Sequence, residues 1–159
     1  MTTLNETTQM TGTNSIEKEI TLRAPRERVW RALTDAQEFG AWFGMTLDGS
    51  FQQGQAIRGR MSNPKYAHFD IEFVVETIAP QHLFSYRWHP YAIDQNVDFS
   101  KERRTLVEFH LSDAPDGTML RVIESGFDHV PAGRRAEAFQ MNTKGWTAQV
   151  ENIRRHVEK

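Results

Sequence analysis

Residues Ile16–Asp35 read IEKEITLRAPRERVWRALTD, and the change of period inside this stretch decides the fold. Up to Leu22 the positions Ile16, Lys18, Ile20 and Leu22 alternate with Glu17, Glu19, Thr21 and Arg23, the two-residue repeat of a half-buried strand whose apolar face only Lys18 interrupts. Pro25 then suits the first turn of a helix, and Val29, Trp30 and Leu33 recur at helical spacing. The next residues, AQEFGAWFG, predict a second short helix that Gly40 or Gly44 ends.

Downstream the period returns to two. Strands are expected around Met45–Leu47, Ala56–Met61, His68–Ile78, His82–Trp88, Thr105–Leu111 and Thr118–Ser125. Their separators carry turn residues, such as Asp48-Gly49, Ala79-Pro80 and the run Asp113–Gly117. Short connectors imply an antiparallel sheet. The exception is HPYAIDQNVDFSKER, His89–Arg103, which is long, polar and aromatic, and long loops are more often functional than short ones. A closing helix from about Ala132 to Val157 places Ala136, Phe139, Trp146, Val150, Ile153 and Val157 on one stripe. Gly145 inside that stripe costs about 1 kcal/mol against alanine and predicts a kink or a close backbone approach. The class is therefore α+β: a bent antiparallel sheet of six to seven strands around a long C-terminal helix, with two short helices after the first strand. Residues 1–14, rich in Thr and Asn, read as a disordered leader before one domain, 15–159.

The composition narrows function. The formal charge of −2 offers no electrostatic case for nucleic acid or an anionic membrane. The chain has no cysteine, which removes disulfides, thiolate metal sites and cysteine nucleophiles. With no spanning or signal segment in view, a cytoplasmic protein is expected. The six histidines show no HxH, HxxxH or HExxH spacing, so no metal is expected, and neither a nucleophile elbow nor a phosphate-binding loop is present, so no cofactor is expected.

The segments ITLRAPRERVWRALTD, Trp42-Phe43, GTMLRVIESGF and Gly145-Trp146, in this order and spacing, resemble the START-like or Bet v-like (SRPBCC) superfamily. Within it they resemble the group named after the activator of the heat-shock-protein-90 ATPase. The resemblance implies a helix-grip fold, often with a cavity between sheet and helix. Its members include carriers, cyclases and co-chaperone domains, so fold alone does not give activity. A eukaryotic-type co-chaperone of that name carries a second domain beyond these 159 residues, and direct chaperone activation is not expected to transfer. Related domains sometimes pair, which leaves a homodimer open.

Within MLRVIESGF, Met119–Phe127, strand phase sets Glu124 in a row with Leu120 and Val122. If that row faces inward, the carboxylate either meets a ligand in a pocket or braces the strand end by pairing with Arg87, Arg121 or a backbone amide. The aromatic residues Trp42, Phe43, Phe73, Trp88, Phe109, Phe139 and Trp146 would line such a pocket, most of the aromatic set being plain core, and suit a small apolar or aromatic ligand. His89, at the entrance of the long loop, is either a loop anchor or an acid-base group. Arg134 and Arg135 either clamp an anion or form a solvated helix face. The expected function is non-catalytic binding of a small molecule. The alternatives are a cofactor-independent cyclase or lyase, which needs Glu124 and a group such as His89 in one cavity, and a stress-response interaction module.

Overall fold

In a computed structural model, residues 14–67, 69–94 and 96–159 are described; the leader up to residue 13 and the expected strand start at His68 lie outside them. Seven strands form one antiparallel sheet: β1 (Ser15–Leu22), β2 (Met45–Asp48), β3 (Ala56–Met61), β4 (Asp70–Ala79), β5 (Leu83–Trp88), β6 (Thr105–Ala114) and β7 (Gly117–Ser125). Their order across the sheet is β1-β7-β6-β5-β4-β3-β2. Neighbours in sequence pair everywhere except at β1, which crosses to β7 with Ile16 opposite Glu124 and Leu22 opposite Thr118. Between them lie α1 (Arg26–Thr34) and α2 (Ala36–Phe43), and after a single 3-10 turn at Phe127–His129 the chain closes with α3 (Ala132–Val157). This is the helix-grip plan.

The local reasons are those of the sequence. Pro25 sits at the N-cap of α1, where its missing N–H costs nothing. Asp35 caps α2 by accepting from Gln37 N and Glu38 N at 3.0 and 3.1 Å. Of the two candidate stops, Gly44 ends α2, in the left-handed region at φ 92°. Gly40 stays helical for a different reason: a Cβ there would lie 2.3 Å from the Met45 carbonyl oxygen. A register shift between Val75 and Thr77 interrupts the β4–β5 ladder, the irregularity that increases twist and bends a strand.

The inward rows follow the expected phases. Phe73 and Val75 on β4, Val107, Phe109 and Leu111 on β6, and Leu120, Val122 and Glu124 on β7 are all buried. Phe39 of α2 is the hub of the interior, with ring centroids 4.7–6.3 Å from Trp42, Phe43, Phe51, Phe73, Tyr86 and Phe109. Burying one such ring contributes about 1.5–3 kcal/mol. The three helices meet at Glu38, which accepts from Arg28 and Arg31 of α1 and bonds His156 of α3. Burial alone would raise this carboxyl, but those hydrogen bonds outweigh it and hold it at about 2.

Two expectations for α3 need correction. Ala136 is exposed and Ala138 is the buried alanine, because the inward stripe passes two positions further along. Gly145 marks no close approach: the helical assignment is continuous through it, and among the described residues nothing lies within 4 Å of where its Cβ would be.

Candidate functional site

Beyond Trp88 the β5 strand leaves the sheet, so among the described residues β4 from Asp70 to Phe73 pairs with no strand on that side. The gap is spanned by an ion pair, Arg104 Nη2 to Glu72 Oε1 at 2.6 Å, with Arg58 3.6 Å from the other Glu72 oxygen. The chain that left the sheet, residues 89–104, arches over to α3. Beneath it is a cleft of about 630 Å³. Phe43, Trp88 and Trp146 form its aromatic floor, Ile71, Val97, Phe99 and Met141 lie along its walls, and His89, Asn142 and Arg104 contribute polar groups.

Arg134 ties the loop to α3. Arg134, in the first turn of α3, donates to both Glu102 carboxylate oxygens at 2.7–3.3 Å and to the carbonyls of Pro90 and Tyr91 at 2.8 and 3.3 Å. Its guanidinium also lies 4.7 Å from the Phe99 ring centroid. Neither the anion clamp nor the solvated face expected from sequence describes it, since the Arg134 and Glu102 side chains are only 18% and 13% exposed. His89 belongs to the same assembly. Its Nε2 is 2.9 Å from the Glu102 carbonyl, and burial pushes its imidazole below the ordinary range, against the pull of that hydrogen bond.

Glu124 lies behind the floor. Fully buried, it accepts four hydrogen bonds: Trp146 Nε1 at 2.8 Å and Asn142 Nδ2 at 2.9 Å on Oε1, and Trp88 Nε1 at 2.8 Å and Thr105 Oγ1 at 2.6 Å on Oε2. Burial pushes its carboxyl up, and the four donors pull in the opposite direction. The expected brace partners are engaged elsewhere, Arg121 with Glu17 and Arg87 with Glu76. The nearby Tyr86 hydroxyl is buried without a partner among the described residues, and burial together with the Glu124 charge pushes it well above its ordinary value.

Of the sequence-expected residues, the structure therefore brings Phe43, Trp88, His89 and Trp146 to the cleft wall. It places the others elsewhere. Trp42 is buried and donates from Nε1 to the Ala32 carbonyl at 2.8 Å, tying α2 to α1. Phe73 and Phe109 are in the filled interior, and Phe139 packs edge-on against Phe127 at 5.2 Å. Glu124 supports the wall without lining it. The sequence reading missed Asn142, Met141, Val97 and Phe99. The long aromatic connector was the available signal for the loop residues, while Asn142 carries none until α3 is laid against β7. Among the described residues no group of three or more His, Asp or Glu could hold a metal ion, and no helix is long and apolar enough to cross a membrane.

A curved antiparallel sheet gripping a C-terminal helix, with a cleft at the open end of the sheet, defines the class of helix-grip proteins. The chain belongs to the family described as Activator of Hsp90 ATPase homolog 1-like protein, whose model matches residues 23–158. Among solved structures it is similar to protein MLL2253 from Mesorhizobium loti, at 27% identity and TM-score 0.70 over 89% of this chain and 95% of that one. It also resembles the Aha1 dimer from Colwellia psychrerythraea, at 17% identity and TM-score 0.69 over 91% and 96%. DynU16, a putative protein in the dynemicin biosynthetic locus, matches at 21% and 0.66 over 92% of this chain and 48% of its own. The last two show the fold alone. No curated protein matches the chain.

Proposed function

We propose that the protein binds a small, flat apolar or aromatic molecule in the cleft beneath residues 89–104, without chemistry. The observation that carries this reading is the loop itself. A chain segment lined with apolar side chains is held off the core by a nearly buried arginine with five hydrogen bonds, over a floor of two indoles and a phenyl ring. A loop serving only to connect β5 to β6 has no use for that clamp; one that walls a ligand site does. Residues of β3, β4 and β5 face Met141–Gln149 of α3 across this cleft, the sheet–helix position expected from the sequence, while aromatic rings fill the interior around Phe39 and leave the room at the open end.

The enzymatic alternative loses support on geometry. Its acid-base pair needed one cavity, yet His89 lines the cleft while both Glu124 oxygens are saturated behind it. A homodimer, the state printed for the Colwellia relative, is carried here only as an expectation that light scattering after gel filtration decides. The binding reading is tested by thermal shift with naphthalene-sized compounds on the wild type and on Gly145→Leu, which adds bulk at a cleft-lining position where a Cβ meets nothing within 4 Å among the described residues. Saturable stabilisation of the wild type that vanishes in the variant supports the reading; no saturable binding by the wild type refutes it.

A further inference from the structure

The buried carboxylate behind the cleft fixes the polarity of the groups in front of it. An indole N–H only donates, and Glu124 receives one on each oxygen, from Trp146 on Oε1 and Trp88 on Oε2. Both oxygens are thus acceptors, and Asn142, bonded to the same Oε1 at 2.9 Å, must offer its amide nitrogen. The Asn142 carbonyl oxygen is left over, with no partner among the described residues, on a side chain that lines the cleft one helical turn before Trp146. A second group is constrained in the same sense. His89 meets a carbonyl, that of Glu102, through Nε2 at 2.9 Å, so Nε2 carries the proton. The neutral ring then leaves Nδ1 as a bare lone pair, again without a partner among the described residues. At the far end Arg104 and Arg58 both lean on Glu72, and the Arg104 Nε, which has no partner among the described residues, is buried rather than open to the cleft.

We infer that the cleft selects a neutral aromatic molecule bearing a hydrogen-bond donor, of the phenol or enol type, whose hydroxyl is taken by Asn142 Oδ1 or His89 Nδ1 while its ring lies on the indole floor. A carboxylate in that position would set its own lone pairs against two acceptors. An ether of the same shape would leave both acceptors dry and unpaired. This inference rests on the binding reading above and adds the ligand's chemical class.

The test uses three probes of one ring system, 2-naphthol, 2-methoxynaphthalene and 2-naphthoate, titrated against the full chain by calorimetry. The expected result is that 2-naphthol binds roughly three- to ten-fold more tightly than the methyl ether, the range one net hydrogen bond supplies, and that naphthoate binds weakest. The hydroxyl-to-ether ratio falls toward one in Asn142→Leu or in His89→Phe. The second variant leaves the Glu124 network intact, so the ratio stays readable if the first does not fold. Equal binding of all three probes, tighter binding of the ether or the acid, or a hydroxyl preference that neither variant alters overturns this inference and leaves the cleft reading standing. If no probe binds, both fall.

Discussion

Two glycines inside helices, Gly40 and Gly145, respond oppositely to alanine, and the structure supplies the sign of each. Alanine is favoured over glycine in a helix interior by about 1 kcal/mol, so propensity alone predicts stabilisation at both positions. At Gly145 nothing among the described residues lies within 4 Å of the added methyl, and the propensity gain survives. For a chain of 159 residues about 1 kcal/mol corresponds to a melting shift of roughly 2–4 °C. At Gly40 the methyl falls 2.3 Å from the Met45 carbonyl oxygen and 3.4 Å from its carbon. That atom is backbone, it begins β2, and it cannot rotate aside. Relieving the clash means parting α2 from β2, beside the ring cluster centred on Phe39, and overpacking of this kind costs about 1–3 kcal/mol or more. The expected result is a rise in melting temperature for Gly145→Ala and a fall for Gly40→Ala, both read by calorimetry at fixed protein concentration. A fall for Gly145→Ala would mean that the methyl meets something, and the open wall of the cleft at α3 would be wrong. A rise for Gly40→Ala would remove the close approach from the account of how α2 is seated.

Replacing Glu124 by Leu keeps the volume and orphans four donors; at about 1–3 kcal/mol for each buried unmet group, with partial relaxation, urea unfolding is expected to show a loss of at least about 3 kcal/mol, and a loss below about 1 kcal/mol would dismiss the network as a stabilising element. The wild type's pH profile carries two opposed contributions. Glu124, raised above its ordinary 4.5, binds its proton more readily when folded, so its contribution is full below 4.5 and is lost as pH rises through the folded value. Glu38, lowered to about 2, contributes fully above 4.5 and loses that contribution as pH falls toward 2, so Glu38→Gln flattens the acid limb and Glu124→Leu the limb above 4.5. Arg134→Ala frees residues 89–104: amide exchange there is expected to accelerate at least ten-fold while β6 and β7 stay protected, and unchanged exchange in the loop would refute the clamp.

The fold was legible because its signals are local. The switch from period two to helical spacing at Pro25, the capping Asp35, the left-handed Gly44 and the turns between strands each act within a few residues, and each element lies where its own sequence puts it. Strand phase put Glu124 in one row with Leu120 and Val122 but left open which face of β7 looks inward, and the structure buries that row. What one strand cannot reveal is who meets that row. Glu124 has partners 18, 19, 22 and 36 residues away in sequence, on β5, on β6 and at two places on α3. Two of them are indoles, which a sequence offers as apolar surface and a fold uses as donors. The misassigned arginine has the same origin. Arg134 reads as a solvated charge until the loop after β5 folds back and delivers Glu102 and two carbonyls to it. The cleft exists because β5 stops at Trp88 while its neighbour β4 runs on past it, so its position follows from unequal strand lengths. A candidate list drawn from residue type alone therefore favours the large aromatic side chains, four of which do not reach the cleft, and passes over Asn142, whose importance comes only from facing the buried Glu124.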